Sequence, residues 1–496
     1  MLDMRKVGIS CVVAWCVACS KDADAPSRAV EQTYPIPFLS AYTAESYGFL
    51  RKYVGDRSIV QLGESIHVTD ELPRARLPLV RYLHEELGFD VIAVEGSLVE
   101  SWLAQDHLYR SSDQLRSRAT RAQELAWFGL WQTEAMRLVM EYVAETQSTR
   151  SPLYLTSFDI QPGGSRAFRG SGRAALQALF DAVRGYSVPL DEGAAARWQD
   201  ALLPFSNCFG SASPRTPDEK DRALAAIGEL ERWTAAASAK VELATSATHA
   251  AALRRVPESL RGSVALCDES ARSGSTKEYQ EARDRINAAH ALALRNEVSP
   301  AHRIMLWAHH NHIRHNSTGK GIPSMGQHLL QLAGKDLYSI GLFAGRGHAL
   351  QISDDAFPPV VPRRIRPASD YGLEGHLASL RTGDYFIDFS TMNPGNPDDA
   401  VWFGELSSRM EPRDIAPCVP AKDYHGAVFV QVVHAAPLPW LPRAFTVAVT
   451  AYGFVLDHLV AFIAGAAILV ALLVQRSRRR RRLRALREAA SLSRRS

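Results

Sequence analysis

The chain has 496 residues, of which 46% are hydrophobic, and it contains 57 Lys and Arg against 53 Asp and Glu. This is the composition of an ordinary globular protein, and it excludes a disordered chain, a collagen and a short disulfide scaffold. The charge is unevenly placed, because residues 475–496 contain ten arginines and one glutamate. Without this tail, which contributes +9, the net charge of +4 becomes −5, so the body has no electrostatic reason to bind nucleic acid.

The N-terminus has the features of an export signal. Arg5 and Lys6 precede an apolar run over residues 7–18, which is too short to span a bilayer comfortably and is typical of a secretory signal. The run leads to Cys19 in a context that resembles a bacterial lipoprotein cleavage site, although Cys16 stands where such sites usually have Leu. We therefore predict a signal peptide over residues 1–19, with lipidation of Cys19 left open, and a polar tether over residues 20–40.

The C-terminus is predicted to anchor the protein in a membrane. Residues 447–474 are almost wholly apolar and are interrupted only by Asp457 and His458, so they are long enough to cross the roughly 30 Å core of a bilayer. A buried core helix is the alternative, but the arginines that follow mark the cytoplasmic side of a membrane helix. We expect an inner-membrane protein with its main domain facing the periplasm and its tail, residues 475–496, in the cytoplasm. A nucleic-acid-binding arm is the alternative interpretation of the arginines.

The body, residues 41–440, has the pattern of an α/β domain. Helical periodicity over Pro73–Leu87 and Ala122–Thr146 alternates with short apolar runs, which predicts a mixed, largely parallel sheet covered by helices on both faces. Residues 217–298 contain no convincing strand and indicate a helical insertion of four helices. The predicted strands are Ser58–Leu62, Asp90–Val94, Leu153–Phe158, Arg303–Ala308, Leu337–Phe343 and Ala427–Val433.

Three cysteines remain in the body after the signal segment: Cys208, Cys267 and Cys418. If any two of them pair, we expect Cys208 and Cys267, because both fall in or beside the central helical region and an exported protein permits disulfides. The sequence shows no CxxC motif and no Cys/His spacing typical of a zinc site.

Four of the predicted strands end in side chains that are capable of acid–base chemistry. The carboxyl ends of parallel strands meet at one edge of a sheet, where ligands bind in open α/β folds. We therefore expect these side chains to form one site. In chain order they are Glu64 and His67, then Glu95, then Asp159, and then His309, His310 and His312.

These residues also carry a family resemblance. Gln61–His67, with Glu71, Arg74 and Arg76 and the run 91–95, resembles the opening motif block of the erythromycin esterase family, and residues 307–312 resemble its second block. Arg283-Asp284, residues 324–326, 338–341 and 424–430 continue the match in order, so the resemblance covers roughly residues 41–439.

The resemblance implies a mixed α/β fold with a helical insertion, and hydrolysis of a small-molecule ester or lactone without a metal or other cofactor. His67 would activate the water, Glu64 or Glu95 would hold its tautomer, and Arg76 or a protonated histidine would stabilise the oxyanion. The candidate catalytic residues are His67, Glu64, Glu95, Arg76 and His309. The candidate substrate-binding residues are His312, Arg74, Asp159 and His310.

Two departures from the family pattern lie at this site and leave the substrate open. Val68 stands where the family usually has Gly, and His310 takes the place of the usual Asn, with Asn311 following. A macrolide lactone is therefore one candidate substrate among several. No Gly-x-Ser-x-Gly motif is present, so a covalent serine mechanism lacks its usual support.

Other interpretations of the same residues remain open. Glu64 and Arg76 would form a purely structural ion pair, Asp159 would only cap a turn, and Trp127 and Trp131 would be core residues rather than walls of the cleft. The cluster of His67, His309, His312 and Glu95 also suits a zinc or iron site, and so a metal-dependent hydrolase. A non-catalytic, membrane-held binding protein is the remaining alternative.

Overall fold

The computed structural model describes residues 31–37, 42–126, 131–161, 171–206, 215–273, 276–316, 321–352, 360–366, 372–409 and 414–438. The predicted signal peptide, membrane helix and basic tail lie outside these residues, as do Trp127 and Cys208. Within the described ranges, no helix is both long enough and apolar enough to cross a bilayer.

In this part of the chain, nine strands form one mixed sheet and two more form a separate hairpin-like pair, β9 and β10. The strands are β1 (Thr33–Pro35), β2 (Ile59–Glu64), β3 (Val91–Ser97), β4 (Tyr154–Asp159), β5 (Ile304–His309), β6 (Leu337–Ile352), β7 (Val360–Ile365), β8 (Tyr385–Asp388), β9 (Leu406–Arg409), β10 (Ile415–Cys418) and β11 (Gly426–Val433).

The large sheet is parallel from β11 to its edge at β4 and antiparallel on its other side. The strand order is β1-β8-β11-β6-β2-β5-β3-β4, and β7 folds back on β6. All neighbours from β11 to β4 run parallel, whereas β8 is antiparallel to β11, β1 to β8 and β7 to β6. The predicted largely parallel sheet is therefore confirmed, and the six predicted strands are its six parallel strands.

The described helices are α1 (Phe49–Val54), α2 (Glu71–Glu85), α3 (Leu98–Arg110), α4 (Leu115–Ala126), α5 (Glu134–Thr146), α6 (Gly172–Arg184), α7 (Glu192–Leu202), α8 (Pro217–Ala244), α9 (Ala247–Ser273), α10 (Thr276–Glu297), α11 (His310–Ile313), α12 (Met325–Ala333), α13 (Leu373–Leu380), α14 (Ala400–Phe403) and α15 (Pro420–Asp423).

Helices cover both faces of the sheet, because successive side chains of each central strand point to opposite sides and most of them are apolar. In β3, Val91 and Ala93 enter one apolar cluster with α3, α6, α9 and α10, whereas Ile92 and Val94 enter the other with α1, α2, α4 and α5. Burial on both faces explains why these strands were recognisable as continuous apolar runs.

Three sequence expectations about secondary structure were wrong. The single helix over Ala122–Thr146 is interrupted, since α5 begins at Glu134 with Thr133 as its N-cap, whose side chain accepts the Met136 backbone N–H. The region 217–298 contains three helices of 28, 27 and 22 residues where four were expected. Part of the predicted tether is β1, because Tyr34 packs against Phe49 and Phe386.

Cysteine pairing is described only in part. Cys267 takes part in a disulfide bond, and Cys418 is buried and free. The predicted partner, Cys208, lies outside the described residues.

Candidate active site

Four neighbouring strand ends bring the predicted polar residues together at the carboxyl edge of the sheet. β2, β5, β3 and β4 are adjacent in that order, and Glu64 and His309 are directly paired in the register of β2 and β5. Glu95 belongs to β3 and Asp159 ends β4. The expected convergence at one edge is therefore what the topology produces.

His67 is held by a buried carboxylate. Its Nδ1 lies 2.8 Å from Glu64 Oε1, and the His67 side chain keeps 21% of its surface exposed whereas that of Glu64 keeps 1%. Arg76 Nη2 donates to the other oxygen, Glu64 Oε2, over 3.1 Å. Glu64 thus bridges an accessible imidazole and a buried guanidinium, so the structural ion pair and the histidine contact coexist.

Arg76 is a buried counter-charge. It is fully buried, and its guanidinium lies 3.8 Å from the centre of the Trp307 ring. Burial lowers the pKa of Arg76 to about 10, against the opposing effect of Glu64 and Glu95, so it still carries its charge at neutral pH. The role of Arg76 at an oxyanion therefore stays a prediction, and the contact that its guanidinium makes here is with Glu64.

Aromatic rings form two walls around His67. The Trp131 ring meets it edge-on with centroids 5.0 Å apart, and the His309 ring lies at 4.7 Å. Trp131 is fixed from behind, because Gln123 Nε2 donates to the carbonyls of Trp131 and Thr133 over 3.1 and 2.8 Å. Trp131, which the sequence left as either core or wall, therefore contacts the central histidine while remaining 3% exposed.

A second charged network lies beside the first. Arg283, on α10, donates through Nη2 to Glu95 Oε1 over 2.9 Å and to Asp159 Oδ2 over 2.5 Å. Glu95 Oε2 accepts the backbone N–H of His309 at 3.0 Å. Burial would raise the pKa of Glu95, but the positive charges of His312, Arg283 and His67 hold it far below its ordinary value.

Asp159 contributes to this network and not to an open surface. It is fully buried, and besides Arg283 it accepts Asn287 Nδ2 at 3.2 Å and the Gln161 backbone N–H at 3.1 Å. The predicted substrate-binding role has no exposed surface to support it. The structure instead shows Asp159 fixing Arg283 and turning the chain after β4, which was the alternative interpretation.

His312 is the histidine whose environment favours a positive charge. Its Nδ1 donates to Asp284 Oδ1 over 2.6 Å, and Glu95 Oε1 lies 3.4 Å from its Nε2. Burial lowers the pKa of His312, but Asp284 and Glu95 outweigh burial and raise it above the ordinary value. Its side chain keeps 19% of its surface exposed. Arg283 Nη1 also lies 3.2 Å from His312 Nε2, and its charge acts against protonation of this ring.

Two predicted residues have their hydrogen bonds outside the two charged networks. Arg74, on α2, donates through Nε to Asp70 Oδ2 over 2.7 Å. His310 is buried with its ring 4.7 Å from that of His309, and its Nδ1 meets Tyr424 Oη at 3.1 Å. Burial holds the pKa of His310 well below its ordinary value, so this ring is neutral and contributes to packing.

The main residues without a predicted role are Arg283 and Asp284. They come from the long helix α10, far from any strand end, where helical periodicity does not distinguish an inward polar residue from a solvated one. Arg283-Asp284 was noted only as part of the family motif order, and that order was the available signal.

The side chains that a metal ion would need already contact other protein groups. Glu64 contacts His67 Nδ1, Asp284 contacts His312 Nδ1, and Arg283 occupies Glu95 Oε1. Among the described residues, no three His, Cys, Asp or Glu side chains are grouped so that they could hold a metal ion.

Comparison with known proteins agrees with this architecture. The family model described as Erythromycin esterase matches residues 84–433. The chain is 26% identical over 399 residues to the Bacillus subtilis (strain 168) protein named "Putative hydrolase YbfO", and the alignment covers 73% of this chain and 82% of that protein.

Solved structures share the fold at low sequence identity. A Bacillus cereus protein superposes with a TM-score of 0.65 at 14% identity, covering 82% of this chain and 97% of that chain. A histidine-to-asparagine mutant of the erythromycin esterase EreC, in its open conformation, superposes with a TM-score of 0.55 at 16% identity, covering 84% and 99%. The family model matches well over half of this chain, and the chain therefore belongs to the erythromycin esterase family.

Proposed function

We propose that the protein hydrolyses a carboxylic ester or lactone with a water molecule that His67 activates, without a metal ion. The observation that carries the proposal is the chain of contacts from the partly exposed His67 through Glu64 to the buried Arg76, at 2.8 and 3.1 Å. Family membership supports the hydrolytic reaction class, and this geometry supports the choice of base.

The Glu64 contact determines which nitrogen of His67 is basic. An ionised carboxylate can only accept a hydrogen bond, so Nδ1 carries the proton and the lone pair of the neutral ring is on Nε2. Nε2 would accept a proton from water as the oxygen attacks the carbonyl carbon. Glu64 would then stabilise the imidazolium that forms.

The developing oxyanion needs a positive charge or a hydrogen-bond donor. In its protonated form His312 would supply both, because Asp284 and Glu95 raise its pKa against the opposing charge of Arg283 and part of its surface is exposed. Arg283 would contribute indirectly by holding Glu95 beside His312.

The substrate class follows from the relatives only as far as an ester or lactone. EreC is an erythromycin esterase by its name and YbfO a hydrolase by its name. A macrolide lactone is therefore included among the candidate substrates of this protein. The sequence also supports membrane anchoring at residues 447–474, with the hydrolase domain exported to the periplasm and the basic tail in the cytoplasm.

A panel of carboxylic esters and lactones, macrolides included, tests the proposal on the purified full chain. We expect turnover of at least one compound, retained after chelation of metals and lost in His67→Asn. The matched control is His302→Asn, which changes an exposed histidine that precedes β5 at the other end of the sheet. Turnover that disappears on chelation would favour the metal-dependent hydrolase, and saturable binding without turnover would favour the binding protein.

Reporter fusions at each end test the proposed topology. A reporter that is active only in the cytoplasm should be active after Ser496, and a reporter that is active only after export should be inactive there. The reverse result would contradict the orientation.

A further inference from the structure

The residue after His67 has an unfavourable backbone conformation. Val68 has a φ of 54°, in the left-handed region that β-branched residues strongly avoid. It is also buried, at 5% exposure. Such a conformation persists only where surrounding contacts enforce it, so the loop that carries His67 depends on its neighbours for its shape.

The enforcing contacts come mainly from a short segment after the last strand. We name residues 434–438 the strap. The Val68 carbonyl accepts the backbone N–H of Ala436 at 3.1 Å, and it also accepts that of Leu350, from β6, at 3.3 Å. Thr69 and Ala435 form an isolated antiparallel bridge. The strap therefore pairs with the chain directly after His67.

Both flanks of this pairing are also fixed. The Asp70 backbone N–H donates to the His434 carbonyl over 2.9 Å. Glu71 accepts the backbone N–H and Nδ1 of His434, each at 2.5 Å. Val68 packs with Leu350 and with Ala436 and Leu438 of the strap in a small apolar cluster of its own.

The strap also reaches the opposite wall of the site. The Pro437 carbonyl accepts the backbone N–H of Glu134 at 3.3 Å. Glu134 begins α5 three residues after Trp131, whose ring meets that of His67. The strap is thus hydrogen-bonded both to the loop that carries His67 and to the turn that carries Trp131.

We propose that the strap is a positioning element of the active site, which holds His67 in register with Glu64 and Trp131 through the backbone of Val68. The expected loss of kcat rests on the proposed function. The expected displacement of the His67 ring does not depend on it. Residues of the strap would act through the loop of His67 and through the turn before α5, and not on the reacting atoms.

The test is Ala436→Pro in the full chain, which deletes the N–H that bonds to Val68. We expect kcat to fall about tenfold, the effect of roughly one hydrogen bond lost from the support of the base, with KM changed less than twofold. The matched control is Ala435→Pro, since the Ala435 N–H donates to no acceptor in the described part of the chain. This control should retain kcat within about twofold.

Val68→Gly provides a rescue that a merely structural role would not give. Glycine adopts positive φ without strain, so the loop would need the strap less. The kcat lost in Ala436→Pro should therefore be largely restored in the double variant Val68→Gly, Ala436→Pro. If the double variant is as slow as Ala436→Pro alone, the strap does not act through Val68 and the proposal is overturned.

A measurement without substrate separates this proposal from the proposed function. The proton resonance of His67, assigned by its loss in His67→Asn, senses the ring current of Trp131 and should move in Ala436→Pro but not in Ala435→Pro. If no ester or lactone is turned over, the hydrolase proposal fails while this resonance still tests the strap. An unmoved resonance would overturn the strap proposal. Should Ala436→Pro not fold, Glu71→Ala removes the bonds to His434 and is expected to move the resonance in the same way.

Discussion

Arg283→Met is expected to destabilise the fold and the site together, because Arg283 compensates two buried carboxylates. The Arg283 side chain keeps 11% of its surface, Glu95 12% and Asp159 none. Methionine fills a similar volume but leaves both acids without their guanidinium. Breaking a buried ion pair by removing one partner costs about 3–5 kcal/mol of unfolding free energy. We expect a loss in this range when unfolding by guanidinium chloride is measured at pH 7.

The pH dependence gives the sharper signature. The pKa of Glu95 is depressed in the folded protein, so its stabilising contribution is complete above the ordinary pKa of about 4.5 and is lost as the pH falls below it. Without Arg283, burial acts with less opposition and favours the neutral acid. The difference in stability between the wild type and Arg283→Met should therefore shrink as the pH is lowered from 7 towards 4.

Arg285→Met is the matched control, two positions further along the same helix. Its pair with Glu269 is at 2.8 Å but exposed, with 51% and 40% of the two side chains accessible. Such surface pairs contribute about 0–1 kcal/mol, so this variant should unfold nearly as the wild type does. An Arg283→Met variant that loses less than about 1 kcal/mol at pH 7, without pH dependence, would refute the reasoning.

The remaining predictions concern the first charged network and a buried histidine. Arg76→Met should cost about 3–5 kcal/mol of unfolding free energy and most of the activity, since Glu64 is left buried without its counter-charge. Arg74→Met, on the same helix, should cost less than about 1 kcal/mol, since its pair with Asp70 is partly exposed; equal losses in chemical unfolding would contradict this contrast. Burial lowers the pKa of His290 to about 4, below the ordinary 6.5, so stability is lost as the pH falls from about 6.5 through 4. The unfolding midpoint of His290→Gln should fall less across this window, and identical curves would disprove the assignment.

The sequence predicted the strands that are buried on both faces of the sheet. All residues of β2 and β5 are buried, so their apolar runs stood out and their boundaries were correct to within two residues. The antiparallel strands β1, β7 and β8 were not recognised. β8 has four residues and β1 has three, the last of them Pro35, and such lengths carry little periodic signal.

The candidate site was predicted where topology alone determines position. Glu64, Glu95 and His309 follow parallel strands, so their convergence required only the strand order. The sequence did not determine which way each side chain points or which residue it pairs with. Arg76 is two residues from Arg74 on one helix, yet one is fully buried against Glu64 and the other faces Asp70. The position of Arg283 depends on how α10 packs across β4 and β5, a tertiary contact without a local signature.

The central claim is that His67 acts as the base, and chemical rescue tests it most directly. His67→Ala should lower the rate of hydrolysis by about 10²–10⁴-fold with the fold intact. Imidazole added to this variant should restore part of the rate in proportion to the neutral imidazole that is present, because the vacated space beside Glu64 and Trp131 would accept it. A His67→Ala variant that hydrolyses its substrate at the wild-type rate would contradict the account.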